Sequence, residues 1–325
     1  MGNGSVRIPS KTPVASSSTR LPSVLQFPLV VLLSFSASYI LLSGASAFTK
    51  LGLASVSRRI EDGWWRILAF PLWRIVELAV GWFGGYDDYD MASLTLQTRL
   101  PYYYLLTTFY GIPLSTTSIY LFLDTLSATL PFYLMRRRLP VHAPTAKTGS
   151  ISNNSVIMDW GIFAMTSSLS ATLYSLVVYF SFATWIPVHM VTFFDNILSV
   201  EAAHTAQVPT LFLTFVPLGW AANTFLFAPA TAAQLTLNDI RGTAFNPADT
   251  TLLSTIRYNV WGWSKGTKVV LKRTATLAAL VGLSTWIRVW KTLEGTESVG
   301  AAGWAGVWVL ASTLNGLVLR WVGNV

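Results

Sequence analysis

Long runs of apolar residues, separated by shorter polar segments, form the main pattern along this chain of 325 residues. A helix needs roughly 20 apolar residues to cross the hydrocarbon core of a bilayer, because each residue rises about 1.5 Å. Stretches that meet or approach this length are 27–48, 102–134, 160–186, 208–228, 274–290 and 301–319. The pattern therefore predicts an all-α, polytopic transmembrane helix bundle of six to eight spans.

A further candidate span, residues 64–83, is less apolar because it contains Arg66, Arg74 and Glu77. A charge at the centre of a bilayer costs about 2.5–3.5 kcal/mol on insertion scales. Arg74 and Glu77 are three residues apart, so they can neutralise each other on a helix, and Arg66 can extend towards the headgroups. The segment is either a marginal span or an amphipathic helix in the interface, and we favour a span.

The N-terminal residues 1–26 have a different composition, with three basic residues, no acidic residue and many Ser and Pro. This composition is typical of a disordered tail, with a mitochondrial presequence as the alternative. We expect residues 27–325 to form a single polytopic membrane domain.

Overall composition also favours a membrane protein. Hydrophobic residues make up 52% of the chain and charged residues 11%, whereas soluble proteins have about 25% charged residues. The net charge of +8 arises from basic residues that cluster between the apolar stretches. Orientation in the bilayer and attraction to anionic lipids explain this charge, so no nucleic-acid partner is expected. The absence of cysteine excludes disulfides and thiolate chemistry.

The distribution of Lys and Arg predicts an orientation. Residues 135–158 contain four basic residues and residues 229–273 contain six, whereas residues 187–207 contain none. The positive-inside rule therefore places the first two segments in the cytoplasm and 187–207 on the opposite side. We expect an integral, multi-pass protein, and we favour the endoplasmic reticulum.

Asp124 is the clearest candidate for a functional residue within a predicted span. Ionisable groups are costly inside a membrane, and helical spacing places Thr117, Tyr120 and Ser127 on the same face as Asp124. The functional interpretation is a catalytic or transport role. The structural interpretation is a buried carboxylate that binds these hydroxyls and holds helices together.

A second candidate group lies in residues 187–207. Treated as one helix, this segment has Asp195 on its polar face and His189, Glu201 and His204 on its apolar face. A carboxylate and an imidazole on an apolar face are expected to have shifted pKa values, which suit acid–base chemistry. Alternatively, the helix lies in the interface and its polar residues reach headgroups or water.

Known metal and nucleotide motifs give no further signal. Glu201 and His204 match half of the Glu-x-x-His pattern of helical di-iron sites, but the second motif is absent. The chain has no P-loop, no G-x-G-x-x-G and no H-E-x-x-H sequence. We expect neither a metal nor a cofactor.

The composition suits one class of reaction, a carbocation cascade. The chain has several predicted spans, 14% aromatic residues and carboxylates within apolar sequence. An acid would protonate an olefin or epoxide, and aromatic faces would stabilise the cation in a dry pocket. Over residues 100–230 the chain resembles, in size, number of spans and residue types, the membrane-integral terpene cyclases of fungal secondary metabolism. The resemblance implies a membrane enzyme whose prenylated, lipid-soluble substrate enters from the bilayer. No motif is shared, so Asp124, Glu201 and His204 are predicted as catalytic from their own positions.

Other functions remain open from the sequence. A small transporter or channel would use Asp124 and the Arg74–Glu77 pair as a polar relay. A seven-span receptor would need an outside N-terminus, but only six residues follow Leu319. A non-catalytic multi-pass scaffold would need none of these residues for chemistry.

Overall fold

The computed structural model describes residues 22–48, 64–143, 153–233, 251–253 and 264–323. Within these ranges the regular structure is helical, and the β-pairing there is an isolated bridge between Phe194 and Thr296. The all-α prediction is therefore confirmed for the described residues. Most of the predicted N-terminal tail, residues 1–21, lies outside them.

Eight helices of 15 residues or more make up the bulk of the described chain. They are α1 (Ser23–Phe48), α2 (Trp64–Gly84), α3 (Asp88–Phe109), α4 (Leu114–Met135), α6 (Trp160–Thr184), α9 (Val208–Ala222), α11 (Lys265–Thr292) and α12 (Ser298–Val322). Shorter helices are α5 (Asn154–Ile157), α7 (Ile186–Phe193), α8 (Glu201–His204) and α10 (Ala228–Ala232), with a 3-10 turn at Pro140–His142. A π-helical turn, Asn223–Phe227, joins α9 to α10 without a break.

Among the residues that the structure describes, five helices are long and apolar enough to cross a membrane. They are Ser23–Ala45, Leu114–Met135, Trp160–Thr184, Val208–Ala232 and Ser298–Val322. Among the described residues this number is smaller than the six to eight spans predicted. The helices α3 and α11 have the necessary length but are too polar to be counted. Helix α2, the predicted marginal span, is also not among the five.

The predicted span 102–134 is wrong as a single helix. Helix α3 ends at Phe109, and α4 begins at Leu114. Gly111, in the connection, has φ of +66°, a left-handed conformation that glycine adopts without steric cost. Pro113 then precedes the first turn of α4, where its missing N–H is tolerated. Two antiparallel helices therefore replace the long one.

Helix α3 lies at the centre of the bundle. Sixteen of its 22 residues are buried, and it packs against α4, α9 and α11. Around it, α1 packs on α4, α6 on α9, and α11 on α12. The close approach of α6 and α9 depends on Gly219, because a side chain there would overlap the backbone carbonyl of Ser167.

The two ends of the bundle differ in charge. At one end the turn after α3 meets the segment before α8, where the Leu198 amide donates to the Phe109 carbonyl (2.9 Å). We call this the acidic end, since its exposed residues include Asp195, Glu201, Glu294 and Glu297. The opposite, basic end carries Arg136, Arg137, Arg138, Lys265, Lys268, Lys272 and Arg320.

Candidate functional site

Asp124 lies about halfway along α4 and its side chain is 13% exposed. The hydroxyl of Tyr103, on α3, donates to Asp124 Oδ2 at 2.9 Å. The same oxygen is 3.5 Å from Arg288 Nη1 on α11 and 3.9 Å from Arg99 Nε on α3. The carboxylate therefore joins three helices through its Oδ2 atom.

A second carboxylate, Glu77 on α2, completes the anionic part of this cluster. Arg99 pairs with Glu77 through Nη2 and donates to Ser284 Oγ through Nη1 at 2.7 Å. The indole of Trp73 also donates to Glu77, at 2.9 Å. The charge of Glu77 attracts Arg74, as predicted, but the direct ion pair of Glu77 is with Arg99. Arg74 instead donates to Ser127 Oγ at 2.9 Å.

We call these five ionisable residues the central charge cluster: Arg74, Glu77, Arg99, Asp124 and Arg288. They come from four helices and have a formal net charge of +1. Asp124 is 11 residues from Met135, so it lies about 17 Å from that end of α4. Charges at such a depth are tolerated only when they are paired and hydrogen-bonded. Pairing within the cluster therefore allows these five charged residues to lie in the interior of the bundle.

The other two predicted catalytic residues lie elsewhere. Glu201 and His204 share the one-turn helix α8 at the acidic end, and both are exposed. The assumption of one helix over 187–207 is wrong, because α7 ends at Phe193 and the Asp195 amide pairs with the Gly295 carbonyl at 3.0 Å. The structure thus does not bring them together with Asp124. A catalytic role for any of the three stays a prediction.

The comparison with known families concerns the second half of the molecule. Residues 159–322 match the Bouquet formation protein 3 C-terminal domain, which covers about half of the chain. The chain belongs to this family. The resemblance to terpene cyclases is therefore wrong, since the matching family is a bouquet formation protein family. No curated protein and no solved structure matches the chain.

The family domain covers α6 to α12, and both halves of the chain contribute to the central charge cluster. Arg288 and Ser284 come from the Bouquet formation protein 3 domain, whereas Glu77, Arg99 and Asp124 precede it. The first half therefore docks on the family domain through buried ionic contacts.

A second polar cluster, which the sequence analysis missed, lies at the basic end. Asp87, Asp90 and His142 place possible metal-ligand atoms within 4.8 Å of one another. The carboxylates, however, already have cationic partners. Asp87 Oδ2 is 2.8 Å from His142 Nδ1, and Asp90 pairs with both terminal nitrogens of Arg273 at 2.5 and 2.8 Å. We interpret this group as an ion-pair cluster, because a metal would have to displace the guanidinium.

Arg273 links this cluster to the Bouquet formation protein 3 domain. Its guanidinium lies 4.9 Å from the ring centres of both Tyr86 and Phe225. It also donates to the Phe225 carbonyl at 3.0 Å. This carbonyl lies in the π-helical turn, and such turns alter the regular pattern of helix hydrogen bonds.

The charged forms of His142 and Asp87 stabilise each other. Burial disfavours the imidazolium, but the hydrogen bond and charge of Asp87 outweigh it and raise the pKa of His142 above its usual 6.5. Burial likewise opposes the carboxylate, but His142 and the backbone amides of Asp90 and Leu139 lower the pKa of Asp87 below 3.8. His142 thus contributes its full stabilisation below pH 6.5, and loses it as the pH rises through its folded-state pKa.

Proposed function

We propose that this chain is a multi-pass membrane protein with a structural, non-catalytic role in bouquet formation, the process for which its family is named. The observation that carries this proposal is the pairing of Asp124. Its carboxylate accepts a hydrogen bond from Tyr103 and lies against two guanidinium groups. An ion-paired carboxylate has no proton to donate to a substrate, so this arrangement favours a structural role over acid catalysis.

The exposed positions of Glu201 and His204 support the same proposal. A catalytic pair works best in a site that excludes water or lipid and holds both groups in a fixed geometry. Within the described residues, the side chains of Glu201 and His204 make no hydrogen bond or ion pair. They therefore lack the surrounding contacts that would orient them for chemistry.

The proposal includes a membrane topology in which α2, α3 and α11 also cross the bilayer. Helix α11 has 28 residues and a length of about 42 Å, close to the full thickness of a bilayer with its headgroups. Two arginines within the helix, Arg273 and Arg288, are paired with carboxylates of other helices. Lys265, Lys268 and the exposed Lys272 are within the first eight residues of the helix, where their long side chains can reach headgroups.

The charge difference between the two ends supports the orientation. By the positive-inside rule, the basic end faces the cytoplasm and the acidic end lies across the membrane. We place the protein in the endoplasmic reticulum. Protease protection of tags inserted at each end, together with fluorescence microscopy, tests both statements, and a protected basic end would contradict the orientation.

Charge compensation separates a structural from a catalytic role for Asp124. Asp124→Asn leaves an excess of buried positive charge, whereas the double variant Asp124→Asn/Arg288→Met restores the formal charge of the wild-type cluster. We expect the single variant to lower protein abundance and bouquet formation together, when each variant replaces the chain in its own organism. The double variant should restore both, because a structural role needs balanced charge and not the carboxylate itself.

The controls are Glu201→Gln and His204→Ala at the exposed end of the bundle. We expect both to support bouquet formation at wild-type abundance. A double variant that reaches normal abundance but fails in bouquet formation would show that the Asp124 carboxylate is needed for chemistry. Loss of function in either control variant at normal abundance would also contradict a purely structural role.

A further inference from the structure

A groove opens along the side of the bundle between α4 and α9. Both helices pack on α3 but make few contacts with each other, so one face of α3 forms the floor of the groove. It begins at Leu114, in the first turn of α4, and reaches Leu121. Seven residues of helix correspond to about 10 Å, so the groove extends from the acidic end towards the middle of the bundle.

The size of the groove limits what can occupy it. Its volume is about 280 Å³. An apolar cavity of about 150 Å³ holds one benzene molecule. The groove therefore has room for a small ring system or one lipid chain.

The residues that line the groove differ in polarity between its deeper part, towards the middle of the bundle, and the part near the acidic end. The deeper part is apolar and aromatic, formed by Leu100, Tyr103, Tyr104 and Pro217. The hydroxyl of Tyr103 already donates to Asp124. The ring of Tyr103 therefore lines this part, while its hydroxyl hydrogen is not available to a ligand. Broad aromatic rings and a proline present flat surfaces, which match a rigid ring body better than a flexible chain.

The part near the acidic end is lined by hydroxyl groups. Thr107 Oγ1 and Thr117 Oγ1 are 2.8 Å apart, so one of them donates to the other. The remaining hydroxyl hydrogen reaches a backbone carbonyl, either Tyr103 O at 3.2 Å or Leu114 O at 3.1 Å. A hydroxyl oxygen has two lone pairs, so both threonine oxygens keep an acceptor site for a ligand hydroxyl.

Charge also selects the ligand. No charged residue is among the described residues that line the groove. Its outer opening is at the acidic end, where Asp195, Glu201, Glu294 and Glu297 disfavour an anionic headgroup. We infer that the α4–α9 groove binds a neutral, hydroxyl-bearing membrane lipid with a rigid ring body, as a sterol has. The rings occupy the deep aromatic part, and the hydroxyl donates to the Thr107–Thr117 pair.

Photo-labelling tests this inference on the full-length protein in phosphatidylcholine nanodiscs. The probe is a cholesterol analogue with a diazirine on its ring system. We expect the label on peptides that contain residues 100–121 and 214–217. Excess cholesterol should compete with the probe. The same ring skeleton without the hydroxyl should compete about tenfold more weakly, and phosphatidylserine should not compete.

Matched tryptophan variants test the location. Ser118 and Thr214 line the groove from its exposed walls, whereas Ile119 and Leu213 are their exposed neighbours outside it. We expect Ser118→Trp and Thr214→Trp to lower labelling about tenfold, and Ile119→Trp and Leu213→Trp to keep it. Label outside the groove, equal labelling of all four variants, or equal competition by the skeleton without a hydroxyl would overturn the inference. If a variant fails to fold, the labelled peptides of the wild-type protein still show whether the probe binds in the groove.

Discussion

Asp124→Asn is the most informative single change in the central charge cluster. Asparagine has nearly the same shape as aspartate and keeps an oxygen that can accept the Tyr103 hydroxyl hydrogen. The substitution therefore removes the charge and little else. The formal charge of the cluster rises from +1 to +2, because only Glu77 remains to balance three guanidinium groups.

The distances in the cluster set the size of the expected effect. At 3.5 Å from Arg288 and 3.9 Å from Arg99, each attraction is worth about 4 kcal/mol at an effective dielectric constant near 20. Part of this is offset, because the asparagine side chain costs less to bury than a carboxylate. Removing one partner of a buried pair generally costs about 3–5 kcal/mol, and we expect a loss of unfolding free energy in this range.

Thermal unfolding of the purified protein in detergent measures the effect. A loss of this size lowers Tm by roughly 6 °C or more. The control Asp195→Asn changes an exposed carboxylate and should alter stability by less than about 0.5 kcal/mol. Adding Arg288→Met to Asp124→Asn should recover more than half of the lost stability. An Asp124→Asn protein as stable as the wild type, or a double variant no more stable than the single one, would refute this reasoning.

Three further changes test other parts of the fold, each by thermal unfolding. Between pH 6 and pH 9 the wild-type protein should lose stability as His142 releases its proton and the ion pair with Asp87 is lost, and His142→Gln should remove this pH dependence. Arg273→Lys should cost about 2–3 kcal/mol, because lysine cannot form the two-point contact with a carboxylate, and an unchanged Tm would contradict the role assigned to the guanidinium. Gly219→Ala should cost about 1–3 kcal/mol by separating α6 from α9 at Ser167, whereas Gly306→Ala, with open space around it, should be tolerated.

Apolar helices with exposed apolar faces were predicted well from the sequence. The predicted spans 160–186 and 301–319 correspond to α6 and α12 within a few residues. These helices present apolar side chains to the outside, so a count of apolar residues detects them directly. The same count cannot detect α3, because protein surrounds this helix and its polar residues find partners in neighbouring helices.

A local signal for α3 was nevertheless present in the sequence. Gly84 and Gly85 precede Asp87, whose side chain accepts from the Asp90 amide at 2.9 Å and caps the helix. A glycine pair followed by an aspartate is a recognisable boundary between two helices. The signal predicts a helix that begins near residue 88, and Gly111 and Pro113 mark the end of this helix and the start of the next.

The partners of Asp124 could not be predicted from local spacing. Helical periodicity correctly places Ser127 near Asp124, but the carboxylate itself binds side chains of α3 and α11. Arg288 is 164 residues away in the sequence, so the contact depends on the packing of whole helices. Local periodicity gives the face of a helix, and the arrangement of the bundle decides which side chains meet there.

Two arginines of α11 explain how the two halves of the chain fit together. Arg273 binds Asp90 near the basic end, and Arg288 lies against Asp124 at mid-depth. The two arginines are 15 residues apart, which corresponds to about 22 Å along the helix. A shift of α11 by one turn, about 5.4 Å, would break both contacts at once and leave buried charges unpaired. Apolar side chains tolerate such a shift far better, because their attraction has no direction. We therefore interpret the paired arginines as the contacts that fix the register between the family domain and the helices that precede it.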